Sequence, residues 1–157
     1  MPQELPIEEF AESAGRESEP SAWLEITQDR VNRFADATND HQYIHVDPER
    51  AAATPFGGTI AHGFLTLSLI IDLISEHMIV PAGTATTVNY GSDKIRYLAP
   101  VRVGKKIRAR QTIRELTEKR PGQWLVGRDV VVEIEGSDKP ALIAEILLLH
   151  IVDQPTP

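Results

Sequence analysis

Cysteine is absent from all 157 residues, which removes disulfides, thiolate nucleophiles and cysteine-ligated metals together. The opening "MPQELPIEEF" is acidic and has no apolar core. No signal peptide is therefore expected, and the cytoplasm is the default location. The longest run of low polarity is "GGTIAHGFLTLSLIIDLISEHMIV", and it carries His62, Asp72, Glu76 and His77. A membrane-spanning helix needs about 20 apolar residues without such charges. The run is expected to be a buried core helix, and no membrane partner is expected.

What is present is ordinary for a water-soluble globular chain: 41% hydrophobic and 25% charged residues. A chain of this length is expected to form one domain over residues 1–157, with an N-terminal extension to about residue 20 and a frayed tail from about 153. The net charge of −7 is unevenly spread. Residues 1–50 hold twelve acids against four bases, whereas residues 94–120 hold ten Lys or Arg against Glu115 and Glu118. Lys106, Arg108, Arg110 and Arg114 alternate with Ile107, Ala109 and Ile113, as on the solvated face of a strand. An anion-attracting patch is the competing reading. Tyr97 is the one aromatic available there for stacking, so nucleic acid is not expected.

Periodicity sets out the elements. Ile7, Phe10, Ala11 and Ala14 predict a short helix over 6–14, and "SAWLEIT" predicts a strand over 21–27. Thr27 is placed to cap a helix whose apolar face is Val31, Phe34, Ala35 and Thr38. Asp47 followed by Pro48 is a second helix start, with the Asp as cap and the Pro in the first turn. The run from about Thr59 to Met78 predicts a helix covered by protein on most of its circumference. After Pro81-Ala82-Gly83 the pattern turns to period two, giving strands through "TATTVNYGSDKIRYL", interrupted near Gly91, then "KKIRARQTIREL", "WLVGRDVVVEIE" and "ALIAEILLLHIV". The last is the most apolar and should lie inside the sheet. The implied class is α+β: a single antiparallel sheet curled around one apolar helix. An edge left open for a symmetric copy makes a homodimer the expected state.

"NDHQYIHVDP", residues 39–48, places four titratable side chains at the entrance to the core. Asp40 and His45 form a carboxylate–imidazole couple suited to adding water across a polarised double bond. The same pair also fits a capped turn and a hydrogen-bonded core histidine. Gly63 falls in the first turn of the apolar helix, where N–H groups lack intrahelical partners. There it either admits a developing oxyanion or permits close helix–sheet packing. A metal reading uses His41, His45, Asp47 and His62, but zinc spacing needs both histidines on one helix, and Asp47 looks committed to capping. Ser68 lies inside the helix without a nucleophile elbow.

"DHQYIHVDPERAAATPFGGTIAHGFLTLSL" resembles the MaoC-like dehydratases, the (R)-specific enoyl-CoA hydratase group, and within it the NodN-like branch. The likeness runs from "QDRVNRFADAT" to "VNYGSDKIRYLAPVRVGKKIRA". It implies a hot-dog fold, dimerisation through the sheets, and reversible syn hydration of trans-2-enoyl-CoA to (R)-3-hydroxyacyl-CoA. It also implies that Asp40 and His45 activate the water and that the Gly63 N–H receives the thioester oxygen. Coenzyme A enters as part of the substrate, with no separate cofactor or metal, and its phosphates give the basic stretch a possible use. Many members carry Asn-Pro where this chain has Gln42-Tyr43, so Gln42 is a candidate for the orienting role. Asn89, in the shared "VNYG" segment, is a candidate for the acyl pocket. An acyl-CoA thioesterase and a non-catalytic acyl-CoA binder are the alternatives on the same fold.

Overall fold

The structure, a computed structural model, describes residues 2–153; the tail from residue 154 lies outside them. In chain order the first elements are β1 (Gln3–Leu5), α1 (Ile7–Ala11), β2 (Leu24–Glu25), α2 (Gln28–Thr38), α3 (Tyr43–Val46) and α4 (Pro48–Ala52). The central helix follows as α5 (Gly63–Ser68) and α6 (Ile70–Ser75). Then come β3 (Ile79–Pro81) and four long strands: β4 (Thr84–Tyr97), β5 (Lys106–Arg120), β6 (Gln123–Ile134) and β7 (Leu142–Val152).

The apolar run is helical over a shorter span than its composition predicts. Gly57 and Gly58, at φ 65° and 158°, turn the chain. Residues 59–61 then run extended, with the Ala61 N–H donating to Val101 O and the Val103 N–H to Thr59 O, at 2.8 and 2.9 Å. Main chain committed to those bonds is unavailable to a helix, so the helix starts at Gly63 rather than near Thr59. Leu69 separates the two segments, yet its N–H reaches Leu65 O and its carbonyl accepts from the Leu73 N–H, both at 3.0 Å. The two segments therefore act as one rod.

The long strands form an antiparallel sheet in the order β2-β5-β6-β7-β4, curled around that rod in the hot-dog arrangement. β7 lies inside the sheet, as expected, and β4 shifts register between Asn89 and Gly91, where the strand pattern breaks in the sequence. Leu65, Leu69, Ile70, Leu73 and Ile74 of the helix share one core with Ile107, Ala109, Val130, Val132, Leu142, Ala144, Ile146 and Leu148 of the sheet. Each fully buried Leu or Ile contributes about 1.5–3 kcal/mol, so the helix is held by the sheet rather than by its own propensity. Two further expectations shrink. The strand predicted over 21–27 pairs only at Leu24–Glu25: Thr27 already caps α2, and upstream the chain touches β5 by single bonds, the Ser18 and Ser21 N–H reaching Gln111 O and Ala109 O. Helix α1 stops at Ala11, where the Glu12 and Ser13 N–H groups tighten onto carbonyls three residues back.

The C-terminal end of the central helix is closed by a buried polar network. Gln111 Nε2 donates to Ile74 O at 3.0 Å, and Arg128 Nη1 donates to Gln111 Oε1 at 3.1 Å. Arg128 is only 1% exposed, and its Nη2 reaches Ile79 O at 2.6 Å and His150 Nε2 at 3.3 Å. A cation near a helix C-terminus opposes the macrodipole, which suits this arginine to a site without a carboxylate partner. His150 must be neutral to accept from Arg128, so its Nδ1–H faces Thr87 Oγ1 at 2.8 Å. Burial, and then the Arg128 charge, depress the His150 pKa to about 3. Unfolded His150 takes up a proton near pH 6.5 that the folded chain refuses until about pH 3, so stability is lost as pH falls through that window. The acid limb of a urea-unfolding series between pH 6 and 4 should be shallower in His150→Gln than in the wild type, by about 1.4 kcal/mol per pH unit.

Candidate active site

Two capped helices aim the segment 39–47. Thr27 Oγ1 accepts from the Arg30 N–H and starts α2, which ends at Asn39 in the left-handed conformation, φ 58° and ψ 24°. That residue throws the chain sideways into Asp40. Asp47 accepts from the Arg50 N–H and starts α4, with Pro48 in its first turn, so the capping role expected for Asp47 is the observed one. Between them His45 sits on the one-turn helix α3 rather than in a loop. Gln28 fixes that turn from below: its Nε2 donates to His45 O at 2.7 Å while its Oε1 accepts from Thr59 at 2.6 Å.

His45 is 7% exposed, and its Nδ1–H donates to Ile60 O at 2.7 Å. This selects the tautomer whose Nε2 carries the free lone pair. Burial lowers the His45 pKa, with the Ile60 bond and Asp40 opposing that and the neighbouring His62 adding to it, so the environment favours the uncharged ring with its Nε2 lone pair free. His62 lies face to face with it, ring centroids 3.8 Å apart and planes 25° apart. One carboxylate oxygen of Asp40 and one ring nitrogen each of His45 and His62 lie within 4.8 Å of one another. Asp40 and His45 are thus brought together as expected.

His45 and Gly63 both line a cavity of about 450 Å³, closed further by Phe56, Phe64, Tyr97 and Val101. Gly63 is the first residue of the central helix, and His62 before it offers no side-chain cap, so the first-turn N–H groups are uncapped beside the cavity. Gly63 also packs closely: a Cβ there would lie 3.0–3.2 Å from the Tyr97 ring. Both readings of this glycine therefore have a physical basis.

The other candidates fall apart from this cluster. Gln42 contributes main chain, its N–H facing Asp40 Oδ1 at 3.4 Å and its carbonyl accepting from the His45 N–H at 2.9 Å; its side chain is exposed and not among the cavity-lining groups. Asn89 lines a second cavity of about 380 Å³ with Ile71, Ser75 and Met78, toward the C-terminal end of the helix. His41 is exposed and bonded to Asp36 at 2.8 Å. Of the ten basic residues, Arg108 and Arg110 pair with Glu133, and Arg114 and Lys94 with Glu145, across the outer face of the sheet. The strand-face reading of the basic stretch holds for these four. Arg102 instead donates to Gly57 O, beside the cavity-lining Phe56 and Val101. The sequence offers His62 as a possible metal ligand and as the His of the His-Gly pair in the family motif, but not its stacking on His45; the available signal was a histidine at the cap position of the most apolar helix.

The fold is that of a hot-dog protein, and a carboxylate and two imidazoles meet beside its apolar cavity, which His45 lines. Residues 9–134 match the MaoC-like domain, and the chain belongs to that dehydratase family. It is 46% identical over 145 residues to 3-hydroxyacyl-thioester dehydratase Z of Mycobacterium tuberculosis, covering 92% of this chain and 95% of that one. It is 42% identical over 142 residues to Nodulation protein N of Rhizobium meliloti, covering 90% and 88%. Among solved structures, an R-hydratase of Pseudomonas aeruginosa superposes with a TM-score of 0.69 at 21% identity, over 92% of this chain and 89% of that one. The family and its hydratase and dehydratase relatives support a hydro-lyase.

The Tyr97 contact predicts an energetic coupling. Gly63→Ala should cost about 1–3 kcal/mol through overpacking and distinctly less in a Tyr97→Ala background. A double-mutant cycle on chemical unfolding measures the difference.

Proposed function

We propose that this chain is an (R)-specific enoyl-CoA hydratase that adds water reversibly and syn to a trans-2-enoyl thioester of coenzyme A. The observation that carries the reading is the Asp40 carboxylate and a His45 ring nitrogen within 4.8 Å of each other, with His45 lining a cavity whose other walls are largely apolar side chains. That spacing brackets one water molecule. In the hydration direction one member of the pair takes a proton from the water as its oxygen bonds to C3. A proton from the pair is then delivered to C2, and both additions come from one side. Negative charge passing to the thioester oxygen meets the uncapped N–H of Gly63 and the positive end of the helix dipole. Phe56, Phe64 and Val101 would take up the acyl chain, and Arg102 is the cation best set to meet a coenzyme A phosphate.

Water suits the Asp40–His45–His62 cluster better than a metal ion does. A metal shared by two imidazoles lies in the plane of both rings, whereas stacked rings direct their in-plane lone pairs along side-by-side lines. We keep the cytoplasm as the setting; no helix among the described residues is long and apolar enough to cross a membrane.

The reading predicts that the protein bleaches the enoyl absorbance of crotonyl-CoA. Asp40→Asn and His45→Gln should each lower kcat at least ~10²-fold with the far-UV spectrum unchanged. Full activity in either variant, or thiol release in place of hydration, would count against it. Because burial lowers the His45 pKa, the acid limb of kcat/KM should have its midpoint below pH 6.5, and a midpoint above that value would contradict the assignment.

We further propose a homodimer formed along β4. This strand is the free edge of the sheet, and Tyr90 on it is 60% exposed. An exposed edge of this length is a template for pairing with a second chain. Light scattering on a sizing column should give twice the chain mass, and Tyr90→Arg should shift the population toward monomer.

A further inference from the structure

We infer that His62 is a positioning residue that ties the Asp40 turn, the His45 ring and the start of the central helix into one unit. The inference rests on the hydro-lyase reading of the site. Asp40 is exposed and follows a left-handed residue, and its carboxylate has one long contact, the Gln42 N–H at 3.4 Å. Nothing in that turn alone keeps a carboxylate at a fixed distance from an imidazole. His62 supplies the tie: its Nε2–H donates to Asp40 O at 2.9 Å. The residue making this bond is itself immobile, 3% exposed and held between the rings of Phe34 at 5.1 Å and His45 at 3.8 Å. Its own carbonyl accepts from the Thr66 N–H in the first turn of the helix, and Gly63 follows it in the chain. Displacing His62 would therefore move all three parts of the site.

Packing alone does not account for an imidazole here. His62 Nδ1 is buried without a hydrogen-bond partner among the described residues, and such an atom costs stability that a hydrocarbon ring would not. What a phenyl ring cannot supply is the Nε2–H on the Asp40 carbonyl. The donor also fixes where the ring protons sit: His62 carries one on Nε2 and His45 one on Nδ1, and His62 opposes protonation of His45. The titratable groups facing the pair are Asp40 and the two histidines themselves.

Two variants and the wild type test this. His62→Phe keeps the stack and loses the donor; its kcat for crotonyl-CoA should fall about 10²-fold at unchanged KM. His62→Gln places an amide N–H where Nε2 was and should recover most of that loss. In the Gln variant the His45 ring should also titrate at a higher pH than in the wild type, because the imidazole that opposes its protonation is gone; the recovery of kcat by Gln over Phe is the readout that a merely structural role would not produce. In the wild type, ring-nitrogen NMR should show a proton on His62 Nε2 hydrogen-bonded to the Asp40 carbonyl, a readout that needs no folded variant. Wild-type kcat in His62→Phe, no advantage of Gln over Phe, or an Nδ1–H tautomer would overturn the inference. If the wild type hydrates no enoyl thioester, the reaction reading fails, while the Nε2 proton still decides whether His62 holds the Asp40 turn.

Discussion

Everything in this fold depends on covering one apolar helix. Leu65, Leu69, Ile70, Leu73 and Ile74 leave the rod no stable exposure to water, and it is too short to persist alone. One sheet supplies the cover by curling, and the curl decides where the helix ends emerge. The N-terminal end opens at the cavity with Gly63, while the C-terminal end is met by Gln111 of β5, which Arg128 of β6 supports. The site is therefore a by-product of how a helix is buried: its position follows from the core, and only its side chains are chemistry.

The helix and the sheet were both legible in the sequence, because each rests on periodicity. The period-two stretches became β4 to β7, and Thr27 and Asp47 cap as their positions predict. The errors arose where main-chain hydrogen bonding with distant residues overrides local pattern. Residues 59–61 look helical by composition, yet they bond to residues 101 and 103, a partner no local window contains. Residues 13–21 lack a strand pattern and still cover the edge of β5 through Gly15, Ser18 and Ser21.

The candidate site shows the same division. Asp40, His45 and Gly63 were legible because each residue type suits its chemistry and the spacing repeats a known motif. His62 was not, since stacking between two histidines 17 positions apart depends on how α3 meets the start of the central helix. Asn89 shares a segment with family members, yet its side of β4 faces the far end of the helix within one chain. The basic stretch was ambiguous because pairing is decided by the strand opposite, and Glu133 and Glu145 come from β6 and β7.

The two ends of the central helix are treated in opposite ways, and the contrast bears on the proposed reaction. At the C-terminal end the Gln111 amide takes up the Ile74 carbonyl and the buried Arg128 cation backs that amide, so the negative pole is answered inside the protein. At the N-terminal end the usual answer is withheld. Helices α2 and α4 have side-chain oxygens on their first-turn N–H groups, from Thr27 and Asp47, whereas His62 turns its ring to the Asp40 carbonyl instead. A Ser, Thr or Asp in its place would cap the helix and add stability of about 0.5–2 kcal/mol. It would also set a competing acceptor, and for Asp a negative charge, beside the Gly63 N–H proposed to meet a thioester oxygen, and release the turn that carries Asp40. The chain forgoes that stabilisation at a helix start that lines a cavity, as the proposed site for developing negative charge requires.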